Sequence, residues 1–152
     1  MTETIMTATP INSPWRFSGK IIRWVDGDTV YLEFVKTFEV EQDFGFGFKE
    51  KIQATKIFRP QSPVRLYGID TPEKNSSDPS ERAKAIAAQR RANELLPPGT
   101  LVEVWSHKND VDVDKYGRYL VEISIPGVIG YTINRLLVEE ELAKIYFGGK
   151  KE

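Results

Sequence analysis

Two alternating apolar runs flank an Asp-Gly step near the start of the chain, and that arrangement constrains the fold more than any other stretch. From Trp15 through Trp24 apolar residues alternate with polar ones. Val25-Asp26-Gly27-Asp28-Thr29 interrupts, and alternation resumes in Val30-Tyr31-Leu32-Glu33-Phe34-Val35. A period of two sends successive side chains to opposite faces of a strand. Asp-Gly between two such runs supplies the backbone freedom of a tight turn, so the segment is predicted to be a β-hairpin. Its second strand is expected to reach about Val40.

The remaining elements follow from local signals. Residues 1–14 are polar and Thr-rich and read as a disordered arm, and residues 148–152 as a disordered tail. Between Glu41 and Pro63 the alternation degrades around Phe44-Gly45-Phe46-Gly47-Phe48. This stretch reads as an inserted hairpin or loop over about 41–62, its Phe side chains folding back on the domain, with a base-stacking surface as the less favoured option. Val64 to Ile69 is a short strand. Asp78-Pro79-Ser80-Glu81 starts a helix with an N-cap, a first-turn proline and a Glu three residues after the cap. That helix is expected to use Ala83, Ile86, Ala87 and Leu95 and to stop at Pro97-Pro98-Gly99. Leu101–Trp105 and Tyr119–Ile125 alternate as strands, and a last helix begins near Thr132 with Ile133, Leu136 and Leu137 facing inward. Strands this short protect their edges best by closing on themselves, so a small barrel with helices outside it is expected over residues 15–147.

Composition narrows the chemistry. Cysteine is absent and His107 is the sole histidine, which excludes disulfides, a thiolate nucleophile and any multi-His zinc site. A Ser-His-Asp triad would have to use His107, which reads instead as an ordinary strand-end residue, while Trp24 and Trp105 read as core. The balance of 21 Lys+Arg against 22 Asp+Glu, net −1, argues against a protein that coats nucleic acid through bulk charge. No apolar run approaches the roughly 18 residues of a membrane span, and the polar start of the chain is unlike a secretory signal. A cytoplasmic protein, or one encoded by a phage or plasmid, is expected.

Three polar clusters exceed what turns require. In Asp26-Gly27-Asp28-Thr29 the second acid stands where the return strand begins. In Val64-Arg65-Leu66-Tyr67-Gly68-Ile69-Asp70-Thr71-Pro72-Glu73, alternation puts Arg65 on the face opposite Leu66, with Asp70 and Glu73 at the strand's exit. Two carboxylates and an Arg are the parts of a metal-assisted displacement at phosphorus: one acid to hold a cation, one to take a proton from water, a guanidinium to neutralise phosphoryl oxygens. The third cluster is Asp114-Lys115-Tyr116-Gly117-Arg118, which alone reads as a charged hairpin loop. Asp110-Val111-Asp112-Val113-Asp114 mimics the opening of an EF-hand, but Lys115 and Val121 stand where that loop needs Gly and Glu.

Taken in order, these three blocks resemble the staphylococcal nuclease (thermonuclease) family, and Ile133-Asn134-Arg135-Leu136-Leu137-Val138 with Leu142-Ala143 looks like that family's last helix and the chain after it. The resemblance covers roughly Phe17 to Tyr146. It implies an α+β, mainly β fold: a five-stranded OB-fold Greek-key barrel with two to three flanking helices. It also implies a Ca²⁺-dependent nuclease that leaves 5′-hydroxyl and 3′-phosphate products on DNA and RNA. By the same resemblance Asp28 and Asp70 would ligate Ca²⁺ through carboxylates and Thr71 through its carbonyl. Glu73 would be the general base or orient the attacking water. Arg65 and Arg118 would clamp the scissile phosphate. Lys115 and Tyr116 would contact a second phosphate, Tyr146 would stack on a base, and Asn134 would be a buried hydrogen-bonder.

The chain departs from that family in three places. Phe34–Pro63 is longer than the family's second hairpin, the loop Lys74–Asp78 is shorter, and Glu141 stands where family members carry Gly. A side chain at that last position must take the left-handed conformation at a cost or end the helix differently. The expected state is a monomer acting on nucleic acid without a membrane. A non-catalytic nucleic-acid- or protein-binding module is the alternative, and the retained acid and Arg set argues against it.

Overall fold

A computed structural model describes residues 16–107 and 119–146. The predicted hairpin is present as β1 (Arg16–Asp26) and β2 (Thr29–Gly45), joined by the two-residue turn Gly27-Asp28. β3 (Phe48–Phe58) returns along β2; β4 (Val64–Leu66) and β5 (Ile69–Asp70) follow. Then come α1 (Pro79–Leu95), β6 (Leu101–Ser106), β7 (Leu120–Ile123), α2 (Ile133–Glu139) and β8 (Lys144–Ile145).

Five strands close a ring. β1 pairs with β2, β2 with β4, β4 in parallel with β7, β7 with β6, and β6 with β1. This is the mainly β, OB-type barrel expected from the sequence, with two helices among the described residues. Ring closure leaves no edge on these five strands. Inside it lie Ile21, Val30, Leu66, Val104, Val121 and Ile123, all inaccessible to solvent, each contributing on the order of 1.5–3 kcal/mol by burial. Trp24 joins this core and donates its indole N–H to the Leu96 carbonyl at 2.9 Å. Trp105 does not: it is half-buried at the barrel's flank, under the Arg16 guanidinium.

The stretch over 41–62 takes the hairpin form of the expected insert, with two differences. β2 does not stop near Val40 but runs to Gly45, and β3 pairs with it residue for residue from Phe34↔Phe58 to Asp43↔Lys49. Phe44 and Phe48 do not fold back on the barrel; they contact each other at the tip and remain 55% and 56% exposed. The Gly residues flanking Phe46 are turn residues with positive φ, which is why the alternation breaks there.

α1 starts as predicted, with the Asp78 carboxylate accepting the Ser80 N–H. Its buried face is Ala85, Ala88 and Ala92, however, and Ile86 is 49% exposed. Small side chains are needed because the helix lies tight against the first hairpin. A Cβ on Gly27 would approach the Ala88 Cβ to 2.7 Å, so any side chain there would force the turn and α1 apart.

Candidate functional site

The tight turn delivers Asp28 at the mouth of the barrel, where it is only 5% exposed. Its carbonyl accepts the Leu66 N–H at 2.9 Å, which fixes the turn against β4. Its carboxylate accepts the Thr29 hydroxyl through Oδ1 at 2.9 Å and the Thr71 N–H through Oδ2 at 3.0 Å. The second acid of Asp-Gly-Asp is therefore a buried, oriented acceptor rather than a solvated turn residue.

Arg65 leaves β4 on the face opposite Leu66, as alternation requires. Its Nη2 donates to the Asp70 carboxylate at 2.7 Å and to the Ile69 carbonyl at 3.2 Å, and lies 3.5 Å from Asp28 Oδ2. One guanidinium nitrogen thus stands between two carboxylates, with all three side chains mostly shielded from water. In that setting charge interactions exceed their surface values. Among the described residues no third acid or histidine joins the pair.

Glu73 follows Pro72 on the exit loop and is exposed. Its carbonyl accepts the Ser76 N–H at 3.3 Å. Next to it Lys74 reaches back to the first hairpin, donating to the Val25 carbonyl at 2.6 Å and lying 3.5 Å from Asp26. Sequence reasoning gave neither residue this role: only the fold reveals that the short loop after Glu73 is pinned to the turn carrying Asp28. β8 pairs with β5, so the Tyr146 N–H reaches the Gly68 carbonyl at 2.8 Å and the end of the chain is brought beside the site strand.

Asn134 meets its expectation as a buried hydrogen-bonder. Its amide donates to the Tyr67 and Val121 carbonyls at 2.9 and 3.0 Å and accepts the Ile123 N–H at 3.2 Å. It locks α2 onto the parallel β4–β7 seam and so holds the strand that carries Arg65. His107 stacks on Tyr67 with ring centroids 3.6 Å apart and contacts Glu122 at 2.6 Å. A cavity of about 450 Å³ beside it, lined by Tyr67, Asn134 and Ile145, does not include Asp28 or Asp70. Lys115, Tyr116 and Arg118, and the acidic Asp110–Asp114 run, lie outside the described residues.

One charged cluster away from the mouth carries no sequence signature. Glu33 on β2 is buried between Arg59 at 2.5 Å and Lys20 at 3.7 Å. The hydrogen bond from Arg59, with the positive charges of Arg59 and Lys20, holds its carboxyl below the usual range, outweighing burial.

The closed barrel, with an acid–arginine–acid set at its mouth, defines an OB-type domain. Residues 63–152 match the family described as staphylococcal nuclease homologue, more than half of the chain, and the chain belongs to that family. The match begins one residue before β4, although β1 and β2 complete the barrel and the turn between them carries Asp28. A stretch of 58 residues is 38% identical to the uncharacterized lipoprotein MG186 homolog of Mycoplasma pneumoniae, covering 35% of this chain. That stretch spans 19% of the mycoplasmal protein's length. No described helix is long and apolar enough to cross a membrane.

Proposed function

We propose that the chain is a Ca²⁺-dependent phosphodiesterase that hydrolyses DNA and RNA to 5′-hydroxyl and 3′-phosphate products. The observation that carries this reading is the convergence of Asp28 from the β1–β2 turn, Arg65 from β4, and Asp70 and Thr71 from the end of β5 onto one mouth of the barrel. The donors available there are all hard oxygens: the carboxylates of Asp28 and Asp70 and the Thr71 carbonyl. Ca²⁺ prefers such ligands and completes its shell with water. Asp28 is oriented by two hydrogen bonds, so its side chain is held in place before any cation arrives.

When bound, the cation would polarise the phosphoryl group and acidify water. Glu73 is unhindered and takes a proton from the attacking water as its oxygen bonds to phosphorus. The bond from phosphorus to the 5′-oxygen breaks, and that oxygen takes a proton from solvent water as it leaves, while Glu73 returns its proton to solvent. Arg65 turns from Asp70 to the scissile phosphate, where its planar fork binds two oxygens at once. Arg118 clamps the same group and favours departure of the 5′-oxygen. Lys115 and Tyr116 hold a neighbouring phosphate and Tyr146 stacks on a base. The catalytic unit so proposed spans residues 15–147, with the β2–β3 hairpin as part of it. The cytoplasmic location expected from the sequence stands against the lipoprotein name of the mycoplasmal relative, and fractionation of the host cell decides between them.

The test is incubation of the purified chain with single-stranded DNA and with RNA, in Ca²⁺ or in chelator. Cleavage in Ca²⁺ alone is expected, and Glu73→Gln and Arg118→Ala should each slow it by roughly 10²–10⁴-fold. Binding without metal-dependent cleavage would overturn the proposal in favour of a non-catalytic module.

A further inference from the structure

Beyond the barrel the β2–β3 hairpin becomes a free two-stranded arm. β1 pairs with β2 only as far as Val35, so residues 36–45 and their partners on β3 project by roughly 30 Å. The two faces of this arm differ in chemistry. One carries Thr37 opposite Thr55, Glu41 opposite Lys51 and Asp43 opposite Lys49, an ordinary solvated surface. The other carries Phe38 opposite Ala54 and Val40 opposite Ile52 at its centre, with Phe38 44% and Ile52 41% exposed. Isolated two-stranded ribbons are marginal in water and ordinarily need an apolar face covered.

The order of rows along that face identifies what covers it. From base to tip they run Phe34/Phe58, Lys36/Lys56, Phe38/Ala54, Val40/Ile52, Gln42/Glu50, then Phe44 and Phe48. Lys36 and Lys56 are directly opposed like charges: the Lys36 ammonium turns to the Arg16 carbonyl at 3.3 Å and over the Phe17 ring, whereas Lys56, and Glu50 on the same face, form no ion pair among the described residues. Phe34 itself is buried in the barrel core, so Phe58 is the exposed member of the base row. Reversing the direction of the arm maps Phe58 onto the aromatic tip, lysine onto the acid row, and the two apolar rows onto each other. A surface that complements its own reverse is the requirement for an isologous two-fold interface.

We propose that two copies of this chain associate through this face, arms packed antiparallel about a two-fold axis with β2 over β2 and β3 over β3. The axis falls between the Phe38/Ala54 and Val40/Ile52 rows. Ile52 of each copy then fills the space left by Ala54 of the other, Lys56 pairs with the other's Glu50, and Phe58 meets the tip Phe48. None of the residues paired in this arrangement belongs to the Asp28–Arg65–Asp70 set, so the association is separate from the proposed catalysis, and it departs from the monomer expected from sequence.

Sedimentation of the full chain over a concentration series tests this. A reversible monomer–dimer equilibrium is expected. Glu50→Lys and Lys56→Glu, each exposed and remote from the barrel mouth, should each weaken dimerisation by at least about tenfold. The two variants mixed together should form a heterodimer, and the double variant Glu50→Lys/Lys56→Glu should regain self-association, because every contact then again pairs opposite charges. A wild-type chain that stays monomeric throughout overturns the proposal, as does a dimer indifferent to Glu50→Lys. So does dimerisation that appears only when residues 1–15 are removed, which would make that segment the occupant of the face.

Discussion

The Asp28 carboxylate accepts the Thr71 backbone N–H at 3.0 Å, joining two residues 43 positions apart in sequence at the mouth of the barrel. Two elements are thereby fixed to each other before any ligand binds: the turn of the first hairpin and the exit of β5. The contact needs an acceptor oxygen but not a charge, and this separates the structural part of Asp28 from its proposed part in cation binding.

Asp28→Asn keeps an amide oxygen for Thr71 and removes the charge. Under the proposed function, saturating Ca²⁺ should raise the melting temperature of the wild-type chain, since a ligand at 100 times its Kd adds about 2.7 kcal/mol. The Asn variant should unfold within a few degrees of wild type in chelator and gain little from Ca²⁺. Thermal denaturation with and without the ion reads both effects. An equal Ca²⁺ response in the two proteins would remove Asp28 from the cation site.

Gly27→Ala tests how tightly the same turn is packed. The new methyl would stand 2.7 Å from the Ala88 Cβ and 3.1 Å from Thr71 Cγ2, so α1 or the turn must move. Overpacking of this kind costs about 1–3 kcal/mol. Urea denaturation should show that loss, and adding Ala88→Gly should recover part of it as a positive coupling between the sites. Purely additive losses would mean that the methyl is accommodated elsewhere.

How far the sequence foretold this depends on the range of the interaction that decides each feature. The hairpin at Asp26-Gly27, the N-cap of α1 at Asp78 and the cap of α2 at Thr132 are set within four residues, and all three stand where local rules put them. The buried face of α1 was misread because Ile86 looked like core, whereas closeness to Gly27 demands alanine. The inserted hairpin was legible, but its aromatic placement was not, because Phe44 and Phe48 contact each other at the tip instead of packing against the barrel. Arg65 and Asp70 were legible as chemistry, but nothing local indicates that one guanidinium nitrogen would bridge Asp70 and Asp28. Glu33 gave no signal, since its partners Lys20 and Arg59 lie on other strands or beyond them.

Glu33 gives a pH dependence with a defined sign. Its folded-state carboxyl titrates below the ordinary glutamate range, chiefly through the hydrogen bond from Arg59. The unfolded chain therefore binds the proton first as pH falls. The stability from this group is fully present above the unfolded value and disappears as pH drops through the folded one. Glu33→Gln should lower the urea midpoint at neutral pH, and the two curves should draw together as pH falls and Glu33 becomes protonated in the folded state. A gap that stays constant as pH falls through the acid range would mean that Arg59 and Lys20 do not favour the ionised form.

The last turn of α2 closes on a conformation that its residue resists. Glu141 sits at φ 63°, and the chain beyond it satisfies the helix end by donating the Leu142 and Ala143 N–H groups to the Leu137 carbonyl at 2.8 and 3.2 Å. The residue before it is anchored from another element, because Arg91 grips both carboxylate oxygens of Glu140 at 2.8 Å. The helix end is thus held from both sides, and Glu141 takes the left-handed conformation rather than ending the helix another way. For a residue with a Cβ this region costs on the order of 1–2 kcal/mol, and glycine occupies it freely at the expense of some unfolded-state entropy. Glu141→Gly should therefore stabilise the chain by about 0.5–1 kcal/mol, raising the urea midpoint without changing the slope. Glu141→Ala keeps the Cβ and should gain nothing. If Ala and Gly raised the midpoint equally, the gain would come from removing the Glu side chain and not from relief of its backbone.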